Sequence, residues 1–162
     1  MTTRRDFILR TIAAPAASPM LAQAAQTPAQ GRVTGYDHVA LPVLNVEKMA
    51  AFYQGLGFRI EQTETVMAVH FADQKINFHK PALWRREDFS LRAKAARPGC
   101  GDLCFVWEGT HAALEATLRQ AGATIIEGPI ARVGGRKRGT AKSMSVYVFD
   151  PDGNLVEFMR YR

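Results

Sequence analysis

The segment FYQGLGFRIE, residues 52–61, can be laid beside LRQAGATIIE, residues 118–127, with one residue of slack. Each reads as the end of a helix, a glycine stop and the opening of a strand. The flanks repeat as well. Ahead of the first copy, YDHVALPV (36–43) alternates like a strand, and Asn45 caps a helical stretch carrying Met49, Phe52, Tyr53 and Leu56 at helical spacing. Behind it, 58–61 reads as a second strand, and 66–72 with 75–79 as a hairpin-like pair around Asp73-Gln74. In the second half, 102–107 is a strand and 110–120 a helix with Ala113, Leu114, Thr117 and Leu118 inward. Strands at 124–127, 145–149 and 155–160 follow, the last entered through the tight turn DPDGN (150–154). The order β-α-β-β-β therefore occurs twice, which predicts an α+β fold of two tandem modules, 34–80 and 100–162, joined by a basic connector, 81–99.

The chain has 162 residues, 47% hydrophobic and 22% charged, enough for one domain with a sizeable core. It contains no apolar run of the length of about 18 residues that a membrane span needs. The first 24 residues read differently from the rest, with paired Arg4 and Arg5 in TRRDFIL, a modestly apolar stretch from Thr11 to Leu21, and Ala22-Gln23-Ala24 as a cleavage candidate. They resemble a twin-arginine export signal, which implies a periplasmic or secreted protein whose mature chain starts near Ala25, with 25–33 as a linker. Three arginines and one aspartate of that segment account for +2 of the formal +6. The remaining charge is partly clustered in GGRKRG (134–139) and WRRED (84–88), both read as loops. Nucleic-acid binding would want a longer basic face with interleaved aromatics, whereas a solvated loop, or a lip attracting an anionic substrate, suits two short clusters. Cys100 and Cys104, on an extended segment, would lie roughly 13 Å apart, too far for a disulfide.

DHVALPVLNVEKMAAFYQGLGF (37–58) and DPDGNLVEF (150–158), each with its strand and turn chemistry, resemble the vicinal oxygen chelate superfamily of glyoxalases, bleomycin-resistance proteins and extradiol dioxygenases. QKINFHK, AARPGCGDLCF, IIEGPIARVGG and SVYVFDPDGNLVEF resemble more specifically its small glyoxalase-domain branch, which includes virulence-associated proteins. The resemblance covers about residues 34–162 and implies two βαβββ modules that curl a mixed β-sheet into a cup, helices outside, with a divalent metal held inside. It also implies a homodimer as the common assembly.

Strand alternation gives a separate test of that picture. Val39, Leu41, Val43, Ile76, Phe78, Leu103, Phe105, Trp107, Val156 and Phe158 share the helix-facing side. The other side collects His38, Asn77, His79, Asp102, Cys104 and Glu157. Carboxylates and imidazoles are costly to bury unpaired, and a divalent ion with nitrogen and oxygen ligands offsets that cost. The resemblance places His38 at the family's first-strand ligand position and Glu157 at its last-strand glutamate. It places Asn77, a poor ligand, where glyoxalases have glutamate, so His79, on the same face about 6.6 Å along, is the better donor. Asp102 stands where many glyoxalases have histidine, and either coordinates or orients a ligand. The expected metal set is thus His38, His79 and Glu157 with Asp102, the ion being Ni, Zn, Mn or Fe. Asn77, Cys104 and Tyr147 are expected to line the substrate pocket, with His70 and His111 as surface or packing residues.

The resemblance implies chemistry in which two neighbouring substrate oxygens chelate the metal. A glyoxalase-like lyase or isomerase, with Glu157 or a bound water moving the proton, is the first expectation. Export argues against a glutathione-adduct role, since that thiol is scarcer outside the cytoplasm. An extradiol-type Fe(II) dioxygenase is the alternative enzyme, because two histidines and a carboxylate also describe a non-haem iron triad. A metal-independent binder of a small molecule such as an antibiotic is the alternative outside enzymology.

Overall fold

The structure, a computed structural model, describes residues 32–161, so the twin-arginine segment and most of the linker lie outside the described residues. From Gly35 onward the described residues form one compact unit. Its first module comprises β1 (His38–Pro42), α1 (Val46–Gly55), β2 (Arg59–Gln62), β3 (Val66–Phe71) and β4 (Gln74–His79). A connector with one short helix, α2 (Pro81–Trp84), leads to the second. That module comprises β5 (Asp102–Val106), α3 (His111–Gln120), β6 (Ile125–Gly134), the short turn α4 (Arg136–Gly139), β7 (Ala141–Phe149) and β8 (Leu155–Tyr161). Each forms a four-stranded mixed sheet, in the orders β1-β4-β3-β2 and β5-β8-β7-β6. In both, the first strand pairs parallel with the last and the remaining pairs are antiparallel. The duplication expected from sequence is therefore present, and the architecture is the tandem βαβββ fold. Among the described residues no helix is long and apolar enough to cross a membrane.

The alternation sorts the faces as expected. Leu41, Val43, Ile76, Phe78, Phe105, Val156 and Phe158 are buried in one core, with Val39, Leu103 and Trp107 packed against it. From α1 come Met49, Phe52 and Tyr53, and from α3 Leu114 and Leu118. Ala113, expected inward, is exposed, and Thr117 is half-buried. A ten-residue amphipathic helix presents a narrow stripe, and the two leucines fill it. Phe58 and Phe71 of the first module pack on Phe105 of the second, with ring centroids 4.9 and 5.0 Å away.

The DPDGN turn joins the modules. Buried Asp150 accepts from Tyr53 Oη at 3.1 Å and from the backbone and side chain of Asn154 at 2.9 and 2.8 Å. Asp152 accepts from the backbone N–H groups of Leu44 and Asn45 at 2.6 and 3.0 Å, and from Asn45 Nδ2 at 2.7 Å. Asn45 was expected to cap α1 with its side chain; that side chain goes to Asp152 instead and makes no cap bond. The turn holds this shape because Gly153 takes φ +87°, as expected of the glycine in it. Gly101 is required for a different reason: its backbone N–H donates to Asn154 Oδ1 at 2.8 Å, and a Cβ there would stand 2.8 Å from both that oxygen and Leu41 Cδ1.

The last hairpin is longer than expected. Strands were expected only at 124–127 and 145–149, yet β6 continues through Arg132–Gly134 and β7 begins at Ala141. Gly128, Pro129 and the basic cluster hid the alternation. Register shifts at Ile125/Glu127 and Glu127/Ile130 absorb the glycine and proline as irregularities, and pairing with β7 carries the strand on.

Candidate functional site

The two parallel strand pairs set the geometry. In the first, His38 stands opposite Lys75, Ala40 opposite Asn77 and Pro42 opposite His79. In the second, Asp102 stands opposite Leu155 and Cys104 opposite Glu157. Overlaying the two ladders makes Asp102 the counterpart of His38, and Glu157 the counterpart of Asn77. Each module thus presents one pair of polar residues at matching positions on the face turned away from the helices.

Glu157 lies between Cys104 on β5 and Tyr147 on β7, its register partners on the two sides. Its Oε1 is buried and has no hydrogen-bond partner. A carboxylate oxygen withdrawn from water and left unpaired is costly, so the position suits a cation. The neighbours respond to it. Desolvation and then the Glu157 charge push the Cys104 thiol up to about 12, which keeps it protonated and a poor nucleophile. Tyr147 is raised by desolvation, with Glu157 adding to the shift and Arg132 opposing it.

Arg132 was not anticipated as a site residue. Its Nε donates to Tyr147 Oη at 3.0 Å, and its guanidinium lies over the Tyr147 ring, 5.5 Å from the centroid. The signal was present in the sequence, since Ile130, Arg132 and Gly134 alternate within IIEGPIARVGG, but the segment's glycines and proline made it read as a loop.

His38 is half exposed and its Nδ1 lies 2.5 Å from Asp37 Oδ1, which leaves Nε2 free to face a ligand. That contact, the first of several causes, holds the Asp37 carboxyl below its usual range. Asp102 is exposed at the start of β5, and Asn77 is half-buried in β4.

His79 is separated from this set. It stands opposite Pro42, four positions along the ladder from the level of His38, or roughly 13 Å. Its ring packs edge-on against Phe89 with centroids 5.3 Å apart. The connector folds over this end of the sheet, and His79, Trp84, Leu91 and Arg92 line a cavity of about 300 Å³. Trp84 Nε1 anchors the connector by donating to Val43 O at 2.8 Å. Burial, with the charge of His38 as a smaller cause, makes His79 harder to protonate than a free imidazole.

His70 and His111 sit near Glu61 and Glu115, at 3.3 and 3.1 Å, and His70 is partly buried, its Nε2 shielded from solvent in the wall of a cavity of about 800 Å³ that Cys104 also lines. Cys100 and Cys104 are both free thiols. Within one chain, among the described residues, no three His, Cys, Asp or Glu side chains converge closely enough to hold a metal ion. The His38 and Glu157 positions belong to different sheets.

Comparison with known proteins agrees with the fold. The virulence protein STM3117 of Salmonella typhimurium is 35% identical over 127 residues, 77% of this chain and 83% of that one. Its crystal structure superposes with a TM-score of 0.69, covering 82% of this chain and all of the other at 34% identity. The glyoxalase domain-containing protein RDO1 of Mycosarcoma maydis is 33% identical over 131 residues, 80% of this chain and 70% of that protein. Metapyrocatechase 2 of Cupriavidus necator is 31% identical over 157 residues, which are 97% of this chain but 40% of the longer protein. The model of one family matches residues 35–158, the span of both modules, and with the duplicated ladders it establishes that the chain belongs to the Glyoxalase/Bleomycin resistance protein/Dioxygenase superfamily.

Proposed function

We propose that this is an exported, divalent-metal-dependent enzyme of the glyoxalase type, a lyase or isomerase that binds a small substrate through two vicinal oxygens. The observation that carries the reading is Glu157 Oε1, buried without a partner at the middle of the polar face. The donors available fit a borderline divalent ion: one imidazole with a free Nε2 in His38, and the carboxylates Asp102 and Glu157. The ladder register favours Asp102 over His79 as the partner of these two, and leaves His79 to the wall beneath the connector. When bound, the ion would supply Lewis-acid polarisation of the two substrate oxygens.

The chain's own residues would do the rest. Asp37 fixes the His38 ring, so that a single nitrogen faces the cup. Glu157 is the group that exchanges a proton with substrate, while Cys104 and Tyr147, both held protonated, keep it company without competing as bases. Because His38 and Glu157 lie on separate sheets, a homodimer that sets the first module of one copy against the second module of the other would complete the donor set.

Metal analysis of protein purified without chelator tests this reading. A divalent ion bound near one per site, and lost in both His38→Ala and Glu157→Ala, is the expected result. Protein that stays metal-free after reconstitution would sink it and leave a binding module. A second reading, an extradiol-type Fe(II) dioxygenase, has support in the 31% identity to metapyrocatechase 2 across nearly the whole chain. Oxygen uptake with catechol on the iron-loaded protein separates the two.

A further inference from the structure

We infer that Arg132 forms a carboxylate-recognition subsite beside Glu157, so that the substrate of this cup is a vicinal-oxygen acid and not a neutral diol or dicarbonyl. The inference rests on the metal-chelation reading above and deepens it.

The subsite is assembled by three strands, β6, β7 and β8. On the polar face, register places Tyr147 between Glu157 on one side and Glu127 on the other, with Ser145 next along β7 opposite Ile130, and Ser143 opposite Arg132. Arg132 leans along its strand to bring Nε to Tyr147 Oη at 3.0 Å, and Tyr147 in turn faces the Glu157 carboxylate. The guanidinium is therefore one side chain removed from Glu157, the strand neighbour of Tyr147 that would carry the ion. The guanidinium carbon also lies over the Tyr147 ring, 5.5 Å from its centroid, a second contact that holds the group near Tyr147.

The fork is not used up by its protein partners. Besides the bond to Tyr147, Nη1 reaches Ala131 O at 3.3 Å, and Nη2 lies 3.5 Å from Glu127 Oε1, too long for a strong pair between groups 39% and 55% exposed. An Arg fork has more N–H donors than these contacts occupy. A second unmet group lies on the same face: Ser145 is fully buried and its Oγ has no partner. The negative charge of Glu157 would weaken anion binding here, and the ion that Glu157 holds would remove that opposition. Arg132 would bind a carboxylate as a charge-assisted fork, beside the position where a metal held by Glu157 would take the two vicinal oxygens.

Catechol and 3,4-dihydroxybenzoate are a matched pair of probes, since both offer two vicinal oxygens and only the second carries a carboxylate. Calorimetric titration of both into zinc-loaded protein gives an affinity ratio for wild type, Arg132→Gln and Arg132→Lys. The expected wild-type ratio favours the acid by about tenfold or more. Arg132→Gln collapses the ratio towards one, and Arg132→Lys, which keeps the charge without the fork, keeps part of it. A wild-type ratio near one, or a preference that survives in Arg132→Gln, overturns the subsite while leaving the metal reading intact. If no zinc is taken up, the metal reading fails instead. The subsite is then decided with benzoate against benzyl alcohol on metal-free Glu157→Gln protein, in which the lost charge replaces the compensation by the ion. Benzoate binding that Arg132→Gln removes keeps the subsite, and absence of benzoate binding overturns it.

Discussion

Glu157 and His79 show how differently two polar residues on one face can be treated. Glu157 is held in mid-strand between Cys104 and Tyr147, with one oxygen lacking a protein partner, a costly state that a water, an ion or a ligand relieves. His79 is covered by the connector and resists protonation. Its folded pKa lies below the ordinary 6.5, so the unfolded chain takes up the proton first, and the contribution of this group to stability falls as pH drops through 6.5 and below. Denaturant midpoints measured from pH 8 to pH 5 should therefore decline less steeply in His79→Gln than in wild type. Parallel profiles would show that His79 titrates freely in the fold.

Among the elements, the DPDGN turn has the widest reach. As a turn it was legible from Pro151 and Gly153, but its aspartates were not legible as a bridge to Leu44, Asn45 and Tyr53, a hundred residues away in sequence. Asp152→Ala removes three hydrogen bonds to one carboxylate, two of them from backbone groups at the start of α1. Bonds of this charge-assisted kind predict a loss of about 2–4 kcal/mol in equilibrium unfolding. A loss under about 0.5 kcal/mol would mean that water replaces the turn's role at little cost. The β6–β7 hairpin makes the opposite point. Its pairing partner supplied the strand character that Gly128, Pro129 and GGRKRG concealed, and Arg132 entered the site through that pairing.

For the whole molecule, the question is whether the cup is completed by a second copy. If it is, a heterodimer of His38→Ala and Glu157→Ala chains contains one cup with both residues intact and one with neither. Refolding the two metal-free variants together should then restore metal binding that neither shows alone. If each chain completes its own site, the mixture stays as empty as its components. Sedimentation of the mixture checks that dimers have formed.

The duplicated modules, the side of each strand that meets the helices, and the positions of His38, Asp102 and Glu157 were determined by the sequence alone. They depend on hydrophobic period and turn chemistry, which are local and written in neighbouring residues. Tertiary structure alone decided that His79 lies at the wrong level of its ladder to join His38, that Asn45 serves Asp152 and not its own helix, and that Arg132 leans over Tyr147. Each depends on strand register or on contacts between distant segments, and a single residue's shift of register would change the partners without changing the pattern from which the strands are read.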